Sequence, residues 1–217
     1  MVASLILHTA SMTNTPESNP TSETDNSAPG MNDPRYPFAM LTSAIGEMIE
    51  ATPEAALSNP TPCPDFSVKE LFEHLILVMR RVAVIGNGGH WTSVQQEAQD
   101  DGWLESFREA SHNVQAAWTD GAKLNEMYEV PWGEMPGAPM MLVYSSELAT
   151  HAWDLAQSTG HDFAMDDEVL AGVWAAVQHL PAEGRESDEV PFGPVVHPGD
   201  DAPLLLKIAG WMGRDVA

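Results

Sequence analysis

The sequence predicts an all-α protein, and two patterns in its 217 residues lead to that fold class. First, apolar residues recur three and four positions apart in several long segments, which is the spacing of one face of an α-helix. Second, no segment keeps the alternation of apolar and polar residues that is typical of a half-buried strand. Four long helical segments with connectors of moderate length favour an antiparallel four-helix bundle with extra C-terminal helices.

The first 33 residues are predicted to form a disordered N-terminal extension. Between Thr13 and Pro34 there is no Leu, Ile, Val or Phe, while Ser, Thr, Asn and Pro dominate. Such a segment cannot bury enough apolar surface to offset the entropy of ordering it. Residues 34–217 are therefore predicted to form the folded helical domain.

The first two helices are marked by an apolar face and by their ends. Five apolar residues share one face of the first helix: Phe38, Leu41, Ile45, Met48 and Ile49. A proline-rich connector, residues 52–66, separates it from the second helix. Ser67 and Glu70 then match a capping box, in which the two side chains satisfy free backbone N–H groups at a helix start. The glycine-rich residues 86–89 are typical of a helix C-terminus and end the second helix.

The remaining helices are predicted from the same spacing. They are expected over residues 100–123, 138–158, 166–180 and 202–212. Residues 131–136, Pro-Trp-Gly-Glu-Met-Pro, are predicted to lie in a loop between the third and fourth of these six helices.

The charge balance excludes several classes of partner. Nine Lys and Arg residues against 32 Asp and Glu residues give a net charge of −23. A surface this acidic repels phosphate backbones and anionic lipids, so neither a nucleic-acid partner nor a membrane partner is expected. No apolar run approaches the roughly 18 residues that a membrane span needs. No basic residue precedes Arg35, so no secretory signal is predicted and the expected location is cytoplasmic.

The single cysteine, Cys63, excludes an internal disulfide and any zinc or redox site of the CxxC type. It lies between two prolines, and no adjacent His or basic residue would lower its pKa. We interpret it as a packing residue and not as a nucleophile.

Three residues on two helices have the character of metal ligands. His74 falls on the apolar face of the second helix. On the fourth helix, Glu147, His151 and Asp154 continue an apolar stripe at spacings of three and four. Helical bundles build metal sites from Glu and His residues that face one another across the core. Two histidines and one glutamate with open coordination positions are the ligand set of a catalytic zinc.

A structural interpretation of the same residues stays open at this point. His74 would then be a hydrogen-bonded core histidine, and Glu147 and His151 would pair with each other. Asp154 would either orient a ligand histidine, as acceptors beside metal-bound histidines do, or lie at the edge of its helix. The other six histidines fall in the N-terminal extension, in expected loops or at isolated helical positions: His8, His90, His112, His161, His179 and His197.

Two segments resemble a known family. Residues 61–75, Thr-Pro-Cys-Pro-Asp-Phe-Ser-Val-Lys-Glu-Leu-Phe-Glu-His-Leu, resemble the TPCPxWxVxxLxxHL opening of the actinobacterial DinB/YfiT-like families. Residues 146–160, Ser-Glu-Leu-Ala-Thr-His-Ala-Trp-Asp-Leu-Ala-Gln-Ser-Thr-Gly, are similar to their ExxxHxWDLAxATG helix. This group includes the metal-binding domain of mycothiol-dependent maleylpyruvate isomerase. Residues 190–195 and the closing Gly213-Arg214 are similar to the ends of its shorter members, so the resemblance spans residues 34–214.

The resemblance implies a DinB/YfiT-like four-helix bundle that binds one divalent metal, usually zinc. The ligand roles fall on His74, Glu147 and His151. It also implies a small thiol such as mycothiol as cosubstrate, whose thiolate attacks an electrophilic substrate in a transferase or isomerase reaction. The isomerase itself carries a further C-terminal domain that this length does not accommodate, so specific maleylpyruvate isomerase activity is not expected.

The leading hypothesis is therefore a metal- and thiol-dependent enzyme acting on a small electrophile. Zinc suits the ligand set, and nickel and iron accept the same ligands. The competing hypothesis is a non-catalytic metal-binding or scaffold bundle, for which a homodimer is one expected form. The third is a bundle without a metal, in which His74 is a core residue.

Overall fold

A computed structural model describes residues 30–183, 185 and 193–216. Most of the predicted disordered extension, residues 1–29, lies outside the described residues, as do residues 190–192 of the late segment quoted above. In the described residues the structure contains six α-helices: α1 (Arg35–Ala51), α2 (Val68–Gly86), α3 (Trp103–Ala117), α4 (Gly137–Thr159), α5 (Asp167–Val177) and α6 (Leu204–Trp211). Short 3₁₀ helices cover Glu54–Ala56, Trp91–Ser93 and Gly121–Asn125. The all-α fold class predicted from periodicity is confirmed.

The start of α2 follows the predicted capping box. The Ser67 backbone N–H donates to Glu70 Oε2 at 2.7 Å, and the Glu70 backbone N–H donates to Ser67 Oγ at 3.4 Å. Both groups would otherwise lack a partner at the first turn. The box therefore fixes where α2 begins, and with it the turn on which His74 lies.

The predicted end of the third helix is wrong by about two turns. The sequence predicts helix to residue 123, whereas α3 ends at Ala117. The reason is the tertiary environment of Trp118, whose buried indole N–H donates to the Val82 carbonyl at 3.0 Å. The Lys123 ammonium then donates to the Gly86 and Ala117 carbonyls, so the chain turns back over the ends of α2 and α3.

The predicted absence of strands is also wrong. Two short antiparallel strands, β1 (Met127–Val130) and β2 (Gly133–Pro136), form a hairpin in the segment predicted as a loop. In its register, Met127 faces Pro136 and Val130 faces Gly133. Tyr128 and Val130 turn inward and are buried. Four-residue strands with proline at their ends resemble a loop in sequence, which is why the pattern was not distinctive.

Four of the helices pack side by side around a common apolar core. The helices in contact with each other are α1 and α4, α4 and α2, α2 and α3, and α3 and α1. Helices α5 and α6 pack against the outer side of α4 and against each other. Helix α4 is therefore covered on several sides, and Glu147 and His151 lie where it meets α2.

Candidate metal centre

The three predicted ligand residues meet between α2 and α4. His74 Nε2 lies 3.0 Å from Glu147 Oε1, and His151 Nε2 lies 3.4 Å from the same oxygen. One donor atom from each residue can be chosen so that all three lie within 4.8 Å of one another. Within the described part of the chain this is the one cluster of His, Cys, Asp or Glu that meets this condition.

Helix geometry explains why these side chains converge. Glu147 and His151 are four residues apart on α4 and so lie one above the other on the same face. His74 lies between the buried Leu71 and Val78 on α2, at the edge of the face that packs into the core. Because α2 and α4 are neighbours, a single contact region brings all three together.

One side of the cluster is buried in the core and the other side is partly exposed to solvent. The His151 side chain is 6% exposed, whereas the His74 and Glu147 side chains are 19% and 28% exposed. A small molecule can therefore approach from the side of His74 and Glu147, while the core protects the far side of His151.

Asp154 orients His151. It lies three residues further along α4, its side chain is fully buried, and its Oδ2 is 2.9 Å from His151 Nδ1. The carboxylate only accepts, so the Nδ1–H of His151 donates to it. In the neutral ring this leaves the lone pair on Nε2, the nitrogen that lies 3.4 Å from Glu147 Oε1. Asp154 is thus a buried partner of His151 and does not lie at an exposed helix edge, while its role beside a metal ligand stays a prediction.

Electrostatics favour positive charge beside Glu147. Burial raises the pKa of this carboxyl, but hydrogen bonds from His151 and His74 outweigh burial and hold the pKa well below its usual range. Burial lowers the pKa of His151, yet its hydrogen bonds to Asp154 and Glu147 outweigh burial and raise that pKa to about 9. An ionised carboxylate between two imidazole nitrogens is a donor set that fits a divalent cation.

The comparison with known families decides where the chain belongs. The family model for the mycothiol maleylpyruvate isomerase N-terminal domain matches residues 38–156. The chain belongs to this family. The matched residues include α2 and most of α4, and so contain His74, Glu147, His151 and Asp154.

The chain is similar to two mycobacterial proteins that are described only as uncharacterized. Two uncharacterized proteins of Mycobacterium tuberculosis, from strains CDC 1551 / Oshkosh and ATCC 25618 / H37Rv, are each 24% identical to it over 186 residues. Each match covers 85% of this chain and 99% of the relative. No solved structure shows a significant match. None of the helices in the described residues is both long enough and apolar enough to cross a membrane.

Phe66 is a site residue that the ligand search in the sequence missed. Its ring stacks on His74 with centroids 4.8 Å apart and planes at 30°, and lies 6.0 Å from the ring of His151. The connector before α2 holds it there, since the Phe66 N–H donates to the Cys63 carbonyl and the Thr61 hydroxyl donates to the Phe66 carbonyl. In this family member the connector thus supplies an aromatic wall to the cluster. Its place just before the capping box was the available signal.

The surroundings of Cys63 agree with the interpretation of a packing residue. Its side chain is buried, and burial raises the pKa of the thiol. A protonated, enclosed thiol is a poor nucleophile.

Tyr144 lies one turn before Glu147 on α4. Burial raises the pKa of its hydroxyl, and the nearby negative charge of Glu147 raises it further. Among the described residues this buried hydroxyl has no hydrogen-bond partner. It therefore keeps its proton as a neutral donor near the cluster.

Arg214, in the closing Gly213-Arg214 segment, is another residue of the site to which sequence analysis assigned no role. Its Nε donates to Asp154 Oδ1 at 2.9 Å and its Nη2 donates to Asp154 Oδ2 at 2.8 Å. The two residues are 60 positions apart, so no local spacing could link them. Arg214 also lies outside the residues that the family model matches.

Proposed function

We propose that this chain binds one divalent cation, preferentially zinc, through His74, Glu147 and His151, and that it is a metal- and thiol-dependent transferase or isomerase. The observation that carries the proposal is the convergence of the three donor atoms within 4.8 Å. Membership of the mycothiol maleylpyruvate isomerase N-terminal domain family supports the thiol, with mycothiol as the first candidate.

The donor set supports zinc among the divalent metals. Two imidazole nitrogens and one carboxylate oxygen match three-ligand catalytic zinc sites, which keep a position for water or substrate. Nickel and iron accept the same donors, so the metal content of the purified protein decides between them. A bound cation of this kind favours the thiolate form of a small thiol at neutral pH.

The chain's own residues would prepare the site for that chemistry. Asp154 keeps the proton of the neutral His151 ring on Nδ1, and Phe66 restricts the movement of His74 by stacking on it. Because His151 is almost fully buried, a thiol and a small electrophile would approach from the side of the more exposed His74 and Glu147.

The first test is the metal content of untagged protein purified without chelator. We expect close to one metal ion per chain by elemental analysis and loss of most of it in His74→Ala. His112→Ala is the matched control, because His112 is exposed on α3 and contributes nothing to the cluster. Metal at the wild-type level in His74→Ala would contradict the ligand assignment.

A second test separates an enzyme from a metal-binding scaffold. The metal-loaded protein is incubated with mycothiol and the electrophile monochlorobimane, and adduct formation is followed by fluorescence. We expect adducts to form faster than with mycothiol alone, and His74→Ala to remove the acceleration. Equal rates across several electrophiles would favour the alternative, a non-catalytic metal-binding or dimeric scaffold bundle.

A further inference from the structure

The carboxylate that orients His151 is itself held from a distant part of the chain. Asp154 is fully buried, and the Arg214 side chain against it is 10% exposed. The guanidinium contacts both carboxylate oxygens through Nε and Nη2, which is the two-pronged geometry specific to arginine. Oδ2 therefore accepts from Arg214 and from His151 at once. The carboxylate plane is fixed by these contacts.

The turn that ends α6 places Arg214 beside Asp154. After α6, the Arg214 N–H donates to the Ala209 carbonyl and the Gly213 N–H donates to the Gly210 carbonyl, both at about 3.0 Å. This pair of bonds is the Schellman motif that ends many helices. It requires a left-handed residue, and Gly213 supplies it with φ at +84°. The Arg214 Nη1 also donates to the Met212 carbonyl at 3.2 Å.

Charge balance gives Arg214 a role beyond packing. A metal ligand histidine is neutral, so it cannot compensate the negative charge of the buried Asp154. Arg214 supplies the compensating positive charge and does so without contacting the three donor atoms of the cluster. A buried carboxylate that loses such a partner is strongly unfavourable and is free to reorient.

We propose that Arg214 is a positioning residue of the metal centre, so that residues 193–216, which follow the part matched by the family model, help to set the metal affinity of the site. The proposal rests on the metal site proposed above. The proposed chain of contacts begins at the Schellman motif that ends α6 and passes through Arg214 and Asp154 to the His151 ring. The orientation of the ligand His151 would thus depend on α6, which begins more than 40 residues after the end of α4.

The test measures zinc affinity of the full chain by competition with a chromophoric chelator. We expect Arg214→Met to bind zinc at least about tenfold more weakly, at the low end of the 10- to 100-fold losses typical when the partner of a ligand histidine is removed. Arg214→Lys keeps the charge but cannot reproduce the two-pronged contact with the carboxylate. Its zinc affinity should therefore lie between those of Arg214→Met and the wild type. Asp154→Asn should lose at least as much affinity as Arg214→Met.

The matched control is Arg35→Met, which removes another partly buried arginine ion pair. Arg35 pairs with Asp33 and donates to the carbonyls of Trp118 and Thr119. This control should lower the thermal midpoint while leaving zinc affinity within about twofold of wild type. If Arg214 had a purely structural role, Arg214→Met would likewise lower the thermal midpoint and leave zinc affinity unchanged.

A spectroscopic measurement adds a readout that stability alone does not move. With Co²⁺ in place of zinc, the visible absorption reports the ligand field, and Arg214→Met should change its band positions or intensity. Zinc affinity in Arg214→Met within about twofold of wild type, with an unchanged cobalt spectrum, overturns the proposal. If Arg214→Met does not fold, wild-type affinity in Arg214→Lys overturns it. A wild-type chain that binds no metal overturns the proposed function and this proposal with it, whereas metal binding that is indifferent to Arg214 overturns this proposal alone.

Discussion

At the scale of single residues, Glu147 is the centre of the cluster. One of its oxygens is close to a nitrogen of His74 and to a nitrogen of His151, and both rings are further fixed by Phe66 or Asp154. An arrangement held by packing and by a second layer of hydrogen bonds loses little freedom when it takes up a cation. This preorganisation favours a specific site over a chance meeting of acidic and imidazole groups.

The raised pKa of His151 makes metal binding depend on pH. In the metal-free protein this pKa is about 9, so the ring is mainly protonated at neutral pH. A metal ligand must be deprotonated, so binding releases that proton. Because a proton on His151 competes with zinc at every pH below this pKa, we expect the apparent zinc affinity to increase by up to about tenfold per pH unit and to level off near pH 9.

Calorimetry measures directly whether zinc binding releases protons. Zinc titrations near neutral pH, in buffers of different ionisation enthalpy, should show about one proton released per ion bound. His112→Ala should behave as wild type, because that histidine is remote from the cluster on the exposed face of α3. Proton uptake, or no proton exchange, would show that His151 does not become a ligand in this way.

The residues of the site differ in how far the sequence could predict them. His74, Glu147 and His151 were predictable, because helical periodicity puts each on a face that turns inward and the motif resemblance selects the same three. Phe66 and Arg214 were not predictable from local pattern. Their partners lie on other elements, so their roles depend on tertiary contacts that spacing along the chain does not encode.

At the scale of elements, the helices with long apolar faces were predictable, whereas the short hairpin and the end of α3 were not. The capping box at Ser67 placed the start of α2 correctly. The hairpin of β1 and β2 was missed because each strand is four residues long and the turn carries Pro131. The end of α3 was missed because the burial of Trp118 and the contacts of Lys123 override local helix preference.

The C-terminal end of α6 offers a test at this scale. A Cβ on residue 213 would lie 2.6 Å from the Gly193 backbone nitrogen, in addition to the strain of a positive φ. We expect Gly213→Ala to lower the thermal midpoint and to weaken zinc binding several-fold, because the turn that positions Arg214 must shift.

Gly88→Ala is the control for backbone strain alone. Gly88 has φ at +76° but open space around the Cβ position. The left-handed conformation costs an alanine about 1–2 kcal/mol, which corresponds to a decrease of roughly 2–8 °C in a domain of this size. Zinc affinity should not change in this control. If it decreases as much as in Gly213→Ala, the effect is general destabilisation and not a shift of Arg214.

At the scale of the whole molecule, the metal should contribute to stability as a ligand of the folded state. The cluster joins α2 to α4, and through Arg214 it also joins the C-terminal segment to the helical core. A ligand that binds the folded state at 1,000 times its dissociation constant stabilises it by about 4 kcal/mol. For a domain of this size that is a rise of roughly 8–16 °C in the thermal midpoint.

Differential scanning calorimetry of the chelator-treated and zinc-reloaded protein measures this rise. His74→Ala should show a much smaller increase on zinc addition, since one ligand is missing. A midpoint that zinc leaves unchanged in the wild-type chain would contradict a site that exists only in the folded state. The net charge of −23 makes a constant ionic strength necessary, because salt screens surface repulsion and shifts the midpoint independently.

An anomalous difference map from crystals of the untagged protein grown with zinc would locate the bound ion directly. The proposed ligand set predicts one strong peak between α2 and α4, in contact with Nε2 of His74, Nε2 of His151 and a carboxylate oxygen of Glu147. A map with no peak there, or with the ion bound elsewhere on the acidic surface, would contradict it.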